Sequence, residues 1–204
     1  MSEVNAAQVR ELREKTGAGF MDCKRALAEN GGDLDKAVVY LREKGLAAAA
    51  KRSARTASEG SVSSYIHAGG KIGVLIEVNC ETDFVARTQE FQNLVKDLAM
   101  QVAAANPRYV RTEEVSQEVL DAERSIYRVQ ASESKKPAPV IEKIVDGKVE
   151  KFLADVCLLQ QPFIKDPQRT VGQLLTDAIA QLGENIVVRR FARFQLGETI
   201  SQSA

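Results

Sequence analysis

The chain predicts an α+β protein: an N-terminal group of helices, then a core in which a small antiparallel sheet is covered by helices. Three observations carry this. Leu34, Ala37, Val38 and Leu41 recur at helical spacing. Val62, Ser64 and Ile66 alternate before Gly69-Gly70, and Ile72, Val74, Ile76 and Val78 alternate after it, which is a hairpin signature. Ile186 to Gln195 is a β-branched and aromatic run that follows a strongly periodic helix. Two early strands and one late strand make a sheet of about three strands.

Residues 1–45 read as three short helices. The first holds Val9 and Leu12 and ends near Thr16-Gly17-Ala18-Gly19; the second runs from about Met21 to Glu29 and stops at Gly31-Gly32. Asp33 is placed to cap the third, and Gly45 to be its C′ residue. A core of that size is marginal alone, so the segment is expected to be a satellite domain. Residues 46–55, with four consecutive alanines and then Lys51-Arg52-Ser53-Ala54-Arg55, read as a helical linker with a solvated basic end. Residues 56–204 form the core domain.

Within the core, Thr88 can cap a helix whose stripe is Phe91, Leu94, Val95, Leu98 and Val102, ended by Asn106-Pro107. Val115, Val119, Ala122, Ile126 and Val129 mark the next helix. Lys135-Lys136-Pro137-Ala138-Pro139 is a break, and Val149, Phe152, Leu153 and Val156 mark the helix beyond it. Pro162 and Pro167 bound a loop. Thr170 caps a helix of Val171, Leu174, Leu175, Ala178, Ile179 and Leu182 that closes at Gly183.

With 44% hydrophobic residues, 204 residues suffice for one or two domains with a real core. Lys plus Arg and Asp plus Glu balance at 28 each, so no global field holds nucleic acid or an anionic membrane, and a partner is recognised by local shape. Cys23, Cys80 and Cys157 are widely separated and form no C-x-x-C pair, which argues against disulfides and zinc and for a cytoplasmic setting. The N-terminus, with Glu3 and Glu11, lacks a leader signature, and no run reaches the ~18 apolar residues of a membrane span.

Catalytic sets are missing. Gly17-Ala18-Gly19 lacks the spacing and the preceding strand of a nucleotide loop, and more simply turns the chain between two helices. His67 has no Ser or Cys motif beside it. Arg189, Arg190 and Arg193 without interleaved aromatics are a weak nucleic-acid signal. No cofactor is expected. What stands out is the polar turn after the second strand, Glu81-Thr82-Asp83-Phe84-Val85, which sets one acid beside one large ring. Two readings stay open: Thr82 or Asp83 caps a helical turn and Phe84 folds into the core, or the tip is exposed and enters another molecule. Phe20 and Met21, at a loop-helix junction, are similarly either core or docking face.

Four stretches, Glu11 to Lys24, Glu77 to Ala86, Phe91 to Leu94 and Gly183 to Phe191, together resemble the bacterial elongation factor Ts family, the guanine-nucleotide exchange factors of elongation factor Tu. The resemblance implies a ubiquitin-associated-like three-helix domain at the N-terminus. It implies that Thr82, Asp83, Phe84 and Val85 enter the partner's G domain near its Mg²⁺ and phosphate loop, and that Leu12, Arg13, Phe20, Met21 and Lys24 dock the N-terminal module on the same domain. Phe84 would be a wedge and Asp83 a disturbing charge, dislodging Mg²⁺ and promoting GDP release without a covalent step, so the chain would be an exchange factor and no enzyme in its own right. The chain looks like the short, single-core form of the family, which implies a homodimer through the sheet and the Val171 to Phe194 region. It departs at Phe20, where other members often have Met. The rival expectation is a ubiquitin-associated-like adaptor without exchange activity.

Overall fold

A computed structural model of the chain describes residues 5–133 and 136–198. Of the expected features, Glu3 and Lys135 lie outside the described residues.

The first helices are α1 (Ala6–Thr16), α2 (Phe20–Glu29) and α3 (Leu34–Arg52). Asn5 closes a capping box on α1: its Oδ1 accepts the Ala7 N–H at 3.0 Å, and Gln8 Oε1 accepts the Asn5 N–H at 3.3 Å. Gly17 ends α1 at φ 68°, a left-handed conformation that L side chains rarely adopt, and Gly19 leads into α2, so Gly17-Ala18-Gly19 is the inter-helix turn. Asp33 caps α3, accepting the Lys36 N–H at 3.0 Å. Val9, Leu12, Cys23, Ala26, Leu27 and Ala37 form the buried centre of this bundle, with Leu34, Val38, Tyr40 and Leu41 packed around it.

Gly45 is not the end of α3, which continues without a break to Arg52 and ends at Ser53. The expected linker is therefore in large part the last turns of the same helix. The alanines sustain the helix, and Gly45 serves packing instead of capping: a Cβ placed on it would lie 3.3 Å from the Cβ of Ala180. The absent side chain is what admits a later helix so close.

Next come β1 (Glu59–Ile66), β2 (Ile72–Cys80), the short α4 (Asp83–Ala86), α5 (Gln89–Ala105), α6 (Gln117–Ser132), α7 (Ala138–Val156), β3 (Pro162–Phe163), β4 (Asp166–Thr170), α8 (Val171–Leu182) and β5 (Val187–Gln195). The main sheet has the order β1-β2-β5 and is antiparallel. The His67 N–H donates to Ile72 O at 2.9 Å to close the hairpin, and the Leu196 N–H donates to Lys71 O at 2.8 Å beside the last strand. Val74, Ile76 and Val78 of β2 are buried as their alternation predicts. In β1 the apolar alternation points the other way: Val62 and Ile66 are exposed, as are Leu75, Phe194 and Leu196.

Two further expectations are corrected. On α6, Ile126 and Val129 are exposed, and the packed stripe is Leu120, Tyr127 and Ala131, which meets Ile141, Ile144, Val145, Val149 and Leu153 of α7. Both stripes have helical period, and only the partner helix selects between them. Arg124 with Asp146 and Arg128 with Glu142, each at 2.8 Å, bridge the same two helices at their exposed edge. The Pro162 to Pro167 segment is part of the two-stranded β3-β4 hairpin, tolerated because Pro162 opens its strand. Val171, Leu175 and Ile179 of α8 are buried, as its periodic apolar stripe predicts.

The chain divides into two compact units, one from Met1–Ser61, Val78–Leu94 and Leu174–Val187, the other from Val62–Glu77, Val95–Gln173 and Val188–Ala204.

Candidate functional site

The turn that leaves β2 is fixed at almost every polar atom. Thr82 caps α4, its Oγ1 accepting the Val85 N–H at 3.4 Å, and the same hydroxyl donates to Glu184 Oε1 at 2.6 Å. Glu184 Oε2 accepts the backbone N–H groups of Glu81 at 3.1 Å and of Thr82 at 3.0 Å. Glu81 in turn accepts the Asn185 N–H at 2.7 Å and lies 3.5 Å from Arg55. Asn185, itself buried, donates to Arg55 O at 2.7 Å and Ser53 O at 3.4 Å, which ties the turn to the end of α3. Beneath the turn the Cys80 thiol donates to Thr82 O at 3.1 Å. Burial, with the Glu184 carboxylate adding to it, pushes that thiol up to about 11.

On the far side, Thr88 Oγ1 donates to Val85 O at 2.8 Å and accepts the Phe91 N–H at 3.3 Å, and Gln92 Nε2 donates to Ala86 O at 2.6 Å. Between these anchors the Phe84 side chain is bare. It is 80% exposed, more than any other large apolar residue described, so core packing is excluded for it. Asp83 is half-buried and pairs with Arg87 at 2.7 Å; Val85 is half-buried. The expected cap is present, and the ring it carries faces outward.

In the three-helix bundle, Phe20 and Met21 are exposed on the first turn of α2, 48% and 65% respectively, and Lys24 is exposed one turn after Phe20. Arg13 is exposed on α1. Leu12 is fully buried among Val9, Cys23 and Leu27, so it can shape a docking face only from within. The tip of the α1-α2 turn is backed by Gln181 of α8, whose side chain lies 3.6 Å from a Cβ placed on Gly17.

The remaining candidates are structural. His67 is exposed and its Nδ1 lies 3.1 Å from Tyr65 Oη. Arg190 pairs with Glu77 at 2.7 Å, and Arg193 with Glu198 at 3.1 Å. Among the described residues no group of His, Cys, Asp and Glu side chains is placed to hold a metal ion, and no helix is long and apolar enough to cross a membrane.

Sequence reasoning missed Glu184 and Asn185 as parts of this site. The available signal was the polar pair directly after the helix-ending Gly183, set between the apolar stripe of α8 and the apolar run of β5.

A rigid capped turn that presents one bare ring, together with a small helical bundle that presents two more bare apolar side chains, defines a docking factor that acts on another macromolecule. The chain matches the protein family described as Elongation factor TS over residues 32–198. It is 62% identical over 199 residues to elongation factor Ts of Geotalea uraniireducens (strain Rf4), covering 98% of this chain and 92% of that protein. It is 61% identical over 199 residues to elongation factor Ts of Caldanaerobacter subterraneus subsp. tengcongensis, covering 98% of this chain and all (100%) of that protein, and 57% identical over 202 residues to elongation factor Ts of Desulforamulus reducens, covering 99% and 93%. The chain belongs to the elongation factor Ts family.

Proposed function

We propose that the protein is the guanine-nucleotide exchange factor of elongation factor Tu in translation elongation, working in the cytoplasm. The observation that carries this reading is Phe84, a bare ring on a turn whose backbone is held from both sides. Exposing a phenylalanine costs apolar hydration, and rigidifying it lowers the entropy lost when it enters a pocket. Thr82-Asp83-Phe84-Val85 inserts beside the partner's Mg²⁺ and phosphate loop. The ring takes the space that supports the phosphates, and the Asp83 carboxylate competes with them for the ion, so Mg²⁺ and GDP leave. Residues 1–45 dock the factor, through Phe20, Met21, Arg13 and Lys24 at the surface and Leu12 beneath, while residues 56–204 carry the exchange turn. Coupling is reciprocal: nucleotide weakens factor binding by the same ratio as the factor weakens nucleotide binding. The protein changes a barrier on its partner and performs no bond chemistry itself.

The same proposal includes a homodimer formed through the outward face of the main sheet. Support comes from Val62, Ile66, Leu75, Phe194 and Leu196, which are 49% to 77% exposed on strands or at a strand end of one sheet.

The test is the release of a fluorescent GDP analogue from purified elongation factor Tu. The wild-type chain accelerates release, and Phe84→Ala abolishes most of that acceleration while its thermal midpoint stays unchanged, because the ring makes little internal contact. Full activity of Phe84→Ala rejects the wedge; no acceleration by the wild type leaves an adaptor role instead.

A further inference from the structure

The exchange turn is not self-supporting. Besides the Thr82 cap, the Ala86 N–H on Thr82 O, the Cys80 thiol contact and the Arg55 ion pair with Glu81, the bonds to the polar atoms of Glu81 and Thr82 come from two consecutive residues more than a hundred positions later, Glu184 and Asn185. One carboxylate takes three donors: two successive backbone N–H groups and the hydroxyl that caps α4. Charge-assisted bonds of this kind are shorter and stronger than neutral ones, and the 2.6 Å hydroxyl contact has that character. Without the carboxylate, both N–H groups lose their acceptor and the Thr82 hydroxyl is free to rotate away from Val85. Phe84 sits two residues from this anchor, with its own side chain bare. Nothing on the ring itself fixes its direction.

We propose that Glu184 is a positioning residue for nucleotide exchange, its carboxylate fixing the Glu81-Thr82 backbone and so the direction in which Phe84 is presented. This rests on the exchange reading above. Glu184 touches neither partner nor nucleotide in the scheme; it acts through Thr82. Misplacing a reacting or wedging group by about 1 Å costs up to ~10²-fold in rate, so loss of the anchor falls on the rate of the bound complex and spares docking through Phe20 and Met21.

The experiment measures nucleotide release across a range of factor concentrations for wild type, Phe84→Ala, Glu184→Ala and Glu184→Gln, at a temperature where each is folded by circular dichroism. Glu184→Ala lowers the maximal release rate by about tenfold and moves the half-saturating concentration by less than about threefold. Glu184→Gln recovers most of the rate, because an amide oxygen accepts the same two N–H groups and the amide NH₂ donates to Thr82 Oγ1. Hydrogen exchange at the Glu81 and Thr82 amides quickens in Glu184→Ala and stays near wild type in Glu184→Gln. If Glu184→Ala does not fold, Thr82→Val removes the hydroxyl from the same contact and lowers the maximal rate in its place. A wild-type maximal rate in Glu184→Ala, or in Thr82→Val where that variant replaces it, overturns the proposal while Phe84→Ala still fails. So does a loss confined to the half-saturating concentration, or an equal loss in Glu184→Gln. If the wild type gives no acceleration, the exchange reading fails first and this one goes with it.

Discussion

Gln101 of α5 and Gln161, the residue before β3, meet in the interior of the second unit, Gln101 Nε2 donating to Gln161 Oε1 at 3.1 Å, with both residues at most 3% exposed. Gln101 also donates to Pro162 O at 3.2 Å and accepts the Ile164 N–H at 2.9 Å, while Gln161 Nε2 donates to Asp155 O at 2.7 Å. Two buried amides thereby hold the start of the β3-β4 hairpin against α5, with their polar atoms engaged. Gln101→Leu keeps the volume but leaves the Ile164 N–H and Gln161 Oε1 without partners. The expected loss is about 2–4 kcal/mol, read from the urea midpoint.

The close approach at Gly45 predicts a size-dependent penalty. Gly45→Ala has opposing terms, a gain in helix propensity of about 1 kcal/mol against a 3.3 Å contact with Ala180. Gly45→Leu has no such compensation and pushes α3 from α8. It should lower stability by about 1–3 kcal/mol or more, measured by thermal or urea unfolding, and the double substitution with Ala180→Gly should recover part of that loss.

Cys80 predicts a loss of stability in alkali. The folded thiol keeps its proton up to about pH 11, whereas the unfolded one ionises near its ordinary 9.0. Below that ordinary value both states are protonated and nothing is lost. As pH rises from there toward the folded value, only the unfolded state releases a proton, so folding weakens by on the order of 2 kcal/mol. Urea midpoints of wild type and Cys80→Ala, compared at about pH 8 and about pH 10.5, isolate this term from the titrating lysines and tyrosines. Below pH 9.0 the buried thiol also resists alkylation by iodoacetamide in the folded protein.

The outward sheet face predicts an oligomer sensitive to charge. Phe194→Glu with Leu196→Glu replaces two side chains that are 70% and 77% exposed, so it costs the monomer's fold little. Sedimentation at micromolar protein should show dimer for the wild type and monomer for the double variant; a wild-type monomer removes the dimer from the proposal.

Local physics was legible in the sequence where one side chain settles one backbone group. The caps Asp33, Thr82, Thr88 and Thr170 are of that kind, each satisfying an N–H three residues on. The buried stripe of α5 was legible for the related reason that one face carries nearly all its large apolar residues. What was not legible depends on partners far away in the chain. Ile126 and Val129 have the right period and the wrong side, because α7 packs against Leu120 and Tyr127. Val62 and Ile66 alternate correctly on the face that lies outward. Gly45 mimics a helix stop, and only Ala180 explains it. At the site, the Thr82 cap could be read locally, but the exposure of Phe84 and the carboxylate behind it could not. Nothing between residues 81 and 85 identifies Glu184 as their support.

The segment from Ala180 to Asn185 touches Gly17, Gly45, Ser53, Arg55, Glu81 and Thr82, and this has a consequence for synthesis on the ribosome. The centre of the α1-α3 bundle uses residues 9 to 41 only, and can close while the chain is still growing. The Thr82 turn must wait for a carboxylate 102 positions downstream, roughly 5–20 s later at ordinary translation speeds. A nascent chain can therefore close its three-helix bundle well before the Thr82 turn is locked, and a product truncated ahead of residue 184 carries the bundle with that turn unanchored.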